Sequence, residues 1–330
     1  MRVSLKKFIT PSIPLAVVLV IGCCGIWMLS FEGGHSAASN FQHNSVLEIL
    51  QSVFSPKSLL LKLAGLLFTL LNAFLIAQIN NRFTIIRTRT FLPIFIFLLL
   101  MGTWNQTHFM IGSQLSLTLF LIALFYFFNM TRDGKASEEA FMGTLLISLS
   151  SLIINQLIFL IPVCWIGFMI FQSFSLRTFL ASVFGTLVPW IFYVGITYLV
   201  HDNINFASIF VLDFNLTLPI SYFNLSEVIY AASITIIMII SLVGLFSISG
   251  SDAIHTRNKL NFLVFLQIAL LVLSLIFRNQ LFSFLPYFAL VYSFLISYTL
   301  TLKLTNFYGV VFIIFCTLNL AFMVSKYFPI

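Results

Sequence analysis

Glu32 stands in a glycine turn, Phe31-Glu32-Gly33-Gly34-His35-Ser36, between two strongly apolar stretches. A carboxylate and an imidazole so close together can serve as acid, base or metal ligand, or can be the solvated residues of a flexible turn. Asp213 follows Ile209-Phe210-Val211-Leu212 and precedes Phe214. A carboxylate at membrane depth is costly unless it is paired or functional, whereas one at the interface needs only to reach water. Glu32 and Asp213 are the candidate catalytic residues. Arg278 occupies the tight connection Arg278-Asn279-Gln280 between two apolar runs. Its guanidinium can take a lipid phosphate or diphosphate through two parallel hydrogen bonds, or can snorkel to a headgroup. Lys62, at the start of another apolar run, is the candidate second cation for such a phosphate. No cofactor motif or metal-ligand spacing accompanies these residues: Cys23, Cys24, Cys164 and Cys316 all fall inside apolar stretches.

The elements that must position these groups are membrane-length helices. Hydrophobic residues make up 60% of the 330-residue chain and charged residues 8%. Apolar runs of spanning length recur from end to end, without the ten-residue alternation of an outer-membrane barrel. The sequence predicts an all-α polytopic bundle, a single transmembrane domain over residues 1–330, with about eleven spans. They are Ile13 to Leu29, Leu60 to Ile79, Phe91 to Gly102, Ile111 to Met130, Phe141 to Ile153 and Leu157 to Phe174 in the first half. Phe179 to Val200, Val228 to Ser247, Leu260 to Phe277, Leu281 to Leu300 and Phe307 to Val324 follow. Phe91 to Gly102 and Phe141 to Ile153 fall short of the roughly 20 residues of a full crossing. Tilting, polar extensions or burial among neighbours would each account for that.

The 16 basic residues sort by loop. With the N-terminus cytoplasmic and the C-terminus periplasmic, one side holds Arg2, Lys6, Lys7, Arg82, Arg87, Arg89, Arg132, Lys135, Arg177, Arg257, Lys259 and Lys303. The other side keeps only Lys57, Lys62, Arg278 and Lys326. This is the asymmetry that topology requires, and it explains the net charge of +7 without a nucleic-acid partner. The same cations can also touch anionic lipid heads. Val20-Ile21-Gly22-Cys23 has the look of a lipoprotein cleavage site, but the chain stays apolar to Leu29, which favours an uncleaved first helix.

Two longer segments lie on the sparsely basic side, 30–59 and 201–227. The first contains Ser45 to Pro56, whose Val46, Ile49, Leu50 and Val53 form one stripe of an interfacial helix. On the basic side, Asn80-Asn81-Arg82-Phe83-Thr84-Ile85-Ile86-Arg87-Thr88-Arg89-Thr90-Phe91-Leu92-Pro93 is the most distinctive string of the chain.

That string, with Phe141-Met142-Gly143-Thr144-Leu145-Leu146-Ile147-Ser148-Leu149-Ser150-Ser151-Leu152 and Gly185-Thr186-Leu187-Val188-Pro189, resembles a family of polytopic inner-membrane proteins of Bacteroidota with no assigned activity. The likeness implies a bacterial inner membrane as the location. A first helix, an acidic outer loop, an interfacial helix and a many-span bundle also look like the glycosyltransferases that use polyprenyl-phosphate sugars (GT-C type). That likeness implies a periplasmic-face site for a lipid-linked substrate in cell-envelope glycan assembly, with Glu32 as base and Arg278, joined by Lys62, on the lipid phosphate. The usual acidic pair is here reduced to Glu32, and no large outer domain follows.

Two other classes share the same composition. A lipid flippase or transporter needs a polar path through the bundle, for which Asn72, Asn155, Gln156, Gln267 and the prolines Pro162, Pro189 and Pro286 are the only span residues at hand. A non-catalytic structural or assembly subunit would pack its many phenylalanines against another membrane protein.

Overall fold

The computed structural model describes residues 18, 20–25, 27, 59–88, 90–104, 107–108, 111–130, 136–200, 225–248, 250, 252–302 and 306–327. In chain order its helices are α1 (Leu59–Phe83), α2 (Leu92–Thr103), α3 (Ile111–Asn129), α4 (Ala136–Ile153), α5 (Ile161–Ile170), α6 (Leu176–Val200), α7 (Leu225–Ile248), α8 (Ile254–Ile276), α9 (Leu281–Leu302) and α10 (Asn306–Tyr327). Short 3-10 turns, Asn155–Leu160 and Arg278–Gln280, precede α5 and α9. Residues 18, 20–25 and 27 of the expected first span are helical as well. Among the described residues seven helices are long and apolar enough to cross a membrane: α1, α3 and α6 to α10. The chain is a multi-pass helical membrane protein.

Contacts sort the helix ends into two layers. In one, Trp104 after α2 packs on Tyr230 of α7, Phe282 of α9 and Phe322 of α10, with ring centroids 5.4–5.9 Å apart. In the other, Phe83 closing α1 packs on Phe125 and Phe128 of α3, and Lys259 of α8 lies over the Phe83 ring. Among the described residues this second layer also gathers Arg82, Arg87, Arg177 and Arg257, whereas the first has Lys62, Arg278 and Lys326. The loop-by-loop sorting of charge therefore corresponds to two physical ends, called here the basic end and the opposite end.

α9 and α3 form the centre, with 78% and 72% of their spans buried, while α6 at 22% is peripheral. A buried helix must satisfy its own polar groups. Ser293, Thr299 and Thr301 of α9 donate to carbonyls three residues earlier, and Tyr287 shares a 2.7 Å hydrogen bond with Ser116 of α3. Asn72 joins α1 to α3 by donating to the Gln114 carbonyl and accepting from Thr118. The span amides expected to mark a transport path thus include one that fastens two helices.

α2 has 12 residues and so is about 18 Å long, well short of a bilayer. Burial among neighbours explains it. Most of its side chains are enclosed, and irregular backbone adjoins it at both ends. Ile85 and Ile86 are buried before it, and Trp104, Thr107 and His108 after it. Non-helical backbone is tolerated at such depth only inside protein. Thr107 Oγ1 donates to the carbonyls of Met101 and Trp104, and His108 stacks on Trp27 at 3.7 Å. Pro93 opens α2, where its missing N–H costs nothing.

Several expected boundaries are corrected; the span expected from Leu260 starts at Ile254, its first turns carrying the polar residues His255, Arg257 and Lys259 at the basic end. The span expected from Phe141 starts at Ala136, because Glu138 and Glu139 favour the positive end of a helix dipole and extend its first turn. The span expected as Leu157 to Phe174 is broken: a 3-10 turn leads to Pro162, and the helix stops at Ile170 before Gln172 adopts φ 57°. The Ser45 to Pro56 helix, and nearly all of the segments 30–59 and 201–227, lie outside the described residues.

α4 and α6 run parallel and pack closely. Ser148 donates to the Thr186 carbonyl at 2.7 Å and Trp190 to Ser151 Oγ at 3.2 Å. A methyl group on Gly185 would lie 2.5 Å from the Phe141 carbonyl oxygen and 2.4 Å from Thr144 Oγ1. Backbone cannot yield, so Gly185→Ala is expected to cost about 1–3 kcal/mol. Gly195, with open space around its Cα, is the control on the same helix: Gly195→Ala should be neutral or gain up to about 1 kcal/mol. Thermal unfolding of both variants in one detergent checks the contrast.

Candidate functional site

Glu227 begins the opposite-end site. It lies in the first turn of α7, where the helix dipole favours a carboxylate, and its side chain is only 6% exposed. Lys326, in the last turn of α10, reaches across and forms an ion pair with Glu227 Oε1. The lysine side chain keeps 26% of its surface exposed, so the pair is open to the outside from the cation's end.

The residues beneath follow from helical spacing. Glu227, Tyr230 and Ile234 share one buried face of α7, and Phe315, Asn319 and Phe322 share one of α10. Tyr230 stacks on Phe322 at 4.1 Å and 11°, and its hydroxyl donates to Asn319 Oδ1 at 2.7 Å. Thr103, closing α2, lies 3.2 Å from the same hydroxyl. Asn319 Nδ2 in turn donates to the Phe315 carbonyl. Trp104 and Phe282 complete the aromatic surround. An ion pair at the rim therefore sits above a satisfied hydroxyl and amide layer, walled by rings. Such a place can accept an anion beside Lys326, with Glu227 as the neighbouring base.

Arg278 lies at this same end, in the 3-10 turn between α8 and α9. Its Nε donates to the Leu275 carbonyl at 3.0 Å, so the guanidinium caps the negative C-terminus of α8. Lys62 falls in the first turn of α1, whose start belongs to the same end. Glu32 and Asp213 lie outside the described residues.

A second buried carboxylate marks the basic end. The Asp252 side chain is fully enclosed, accepts a hydrogen bond from the Tyr298 hydroxyl and pairs with the Arg87 guanidinium. The arginine-rich string is thereby explained as a clamped loop. Asn80 Oδ1 accepts the Ile86 N–H at 3.2 Å, Thr90 Oγ1 accepts the Leu92 N–H at 3.1 Å, and Thr84 takes a left-handed φ of 45°. With both oxygens engaged and no surface, Asp252 holds three segments together rather than offering a base. Among the described residues no group of three His, Cys, Asp or Glu converges to hold a metal ion.

Sequence reasoning placed Glu227 and Lys326 on one side of the membrane without joining them, and passed over Asp252. For the first pair a signal existed: a lone carboxylate opening an apolar span, and a lone lysine closing another among the few basic residues on that side. For Asp252 no local spacing could name Arg87 as its partner. The chain, compared with family models, curated proteins and solved structures, matches none of them.

The two members of the Arg87 and Asp252 pair are unequal, because only the carboxylate is buried. Arg87→Ala strands it and is expected to cost about 3–5 kcal/mol. Asp252→Asn keeps a partner for Tyr298 and returns a half-exposed guanidinium to water, at about 1 kcal/mol. Thermal unfolding of the two single variants and the double variant checks that order, with the double recovering most of the Arg87→Ala loss.

Proposed function

We propose that this protein handles a lipid-linked anionic substrate, of the polyprenyl-phosphate-sugar kind, at the end of the bundle that carries Glu227, Lys326 and Arg278. The reading rests on one observation: a buried carboxylate, neutralised by a lysine that remains partly open, within a ring of aromatic side chains. Buried ion pairs in membrane segments are retained at a cost, which makes them the default place to look for function.

In this reading a substrate phosphate draws Lys326 away from Glu227, and the uncovered carboxylate takes the proton of an acceptor hydroxyl as its oxygen bonds to the sugar carbon and the polyprenyl phosphate departs. The rings of Trp104, Tyr230 and Phe322 are buried beneath the pair and keep its surroundings apolar. Arg278 and Lys62 contribute further positive charge at the same end, and Glu32 and Asp213 are the further acidic candidates of its loops. The sparsely basic end faces the periplasm of a bacterial inner membrane, with the N-terminus cytoplasmic, the C-terminus periplasmic and about eleven spans in the full chain. Cell-envelope glycan assembly is the setting such a substrate implies.

Purified protein in nanodiscs, offered a polyprenyl phosphate and analysed by native mass spectrometry, tests the binding half. Lys326→Met should weaken retention by roughly ten- to a hundredfold and Lys326→Arg should restore it, since one hydrogen bond to a charged group is worth about 1.5–3 kcal/mol. Glu227→Gln should retain the lipid while losing turnover of a polyprenyl-phosphate sugar. If wild type and Lys326→Met retain the lipid equally, or neither does, the substrate reading is to be abandoned in favour of a non-catalytic subunit.

A further inference from the structure

Two cations of the basic end, neither in an ion pair among the described residues, are held against aromatic rings. Arg82 lies with its guanidinium carbon 4.4 Å from the Phe125 ring centroid and 5.8 Å from that of Phe83. Lys259 Nζ is 4.9 Å from the same Phe83 centroid and donates to the Phe83 carbonyl at 3.3 Å. Phe83 and Phe125 are themselves packed edge to face at 5.2 Å. Two positive heads are thus pinned around one aromatic pair, where α1 and α3 end and α8 begins.

Neither head has a carboxylate partner among the described residues. Of the described acids at this end, Asp252 pairs with Arg87 and Tyr298, Glu139 accepts from Asn129 through Oε1, and Glu138 is exposed in the first turn of α4. Simple topogenic charge needs no such fixation, because a lysine or arginine in a loop is effective wherever its side chain points. Contact with a ring leaves a guanidinium its five N–H donors, whose fork can take two phosphate oxygens at once. The Lys259 ammonium has given one of its three protons to a carbonyl and keeps two.

We propose that Arg82 and Lys259 form a binding site for a phosphate-bearing group at the basic end, distinct from the Glu227 and Lys326 site and independent of its substrate. The phosphate bridges the two cations beneath the end of α1, at the depth where a phospholipid headgroup or a soluble phosphate ester can meet them.

Thermal midpoints of the purified protein in bicelles of phosphatidylcholine, with and without phosphatidylglycerol, and separately with added pyrophosphate, test the site. The wild type should be stabilised by the anionic addition, and Arg82→Gln/Lys259→Gln should lose that increment. Lipid retained in native mass spectra should fall about tenfold for each cation removed, as expected for a hydrogen bond to a charged group. Arg257→Gln, which removes a cation from the same end without touching the aromatic pair, should keep the increment. Stabilisation by phosphatidylglycerol alone identifies a lipid headgroup, and stabilisation by pyrophosphate identifies a soluble ester. If the double variant is lowered equally in neutral and anionic bicelles, the two residues only cap α1 and the site does not exist. An equal loss in Arg257→Gln would likewise overturn it, as diffuse surface charge.

Discussion

A charge enclosed in an apolar bundle must be neutralised where it lies, and this condition shapes the protein at both of its ends. Glu227 and Asp252 are the two carboxylates buried among the described residues, and each is met by a cation from a distant part of the chain. Lys326 fastens the end of α10 to the start of α7. Arg87 fastens the loop before α2 to the linker before α8, with Tyr298 of α9 as the third member. Between the two ends the same rule operates on neutral groups. Serine and threonine hydroxyls return to their own helix carbonyls, and Asn72, Ser116 and Tyr287 link helices instead of lining a path.

The two pairs differ in what they leave open. Asp252 has no surface and both oxygens in use, so the basic-end pair is a clamp. Lys326 has surface left, and the ring-lined ground around it is where a charged headgroup could exchange places with Glu227. That difference in exposure, more than any motif, is why the proposed substrate site is put at one end and a structural clamp at the other.

Class, helical content and the division of charge between two ends were legible in the sequence, because they depend on composition and on which loops follow which runs. The shortness of the Phe91 to Gly102 run was legible too. Its cause was not, since burial of Ile85, Ile86, Trp104 and His108 is a property of packing. Lys326 was visible as a departure from the basic-side pattern. Glu227 lay on the same side by sorting alone, and only the approach of α7 to α10 joined them. Asp252 was hidden more thoroughly, within a short serine and glycine connection whose partners come from α9 and from the loop before α2. Arg278, an equally visible departure, has a helix carbonyl to cap, which accounts for part of its placement.

The central claim is that the Asp252 clamp and the Glu227 site lie on opposite faces of a membrane, the clamp inside. In a variant with Cys23, Cys24, Cys164 and Cys316 replaced by alanine, single cysteines at Thr88, on the clamped loop, and at Ser325, beside Lys326, report each face through a membrane-impermeant maleimide. Ser325→Cys should label in intact cells, and Thr88→Cys only after permeabilisation. Labelling of both in intact cells would contradict the two-faced arrangement, and labelling of Thr88→Cys alone would contradict the orientation.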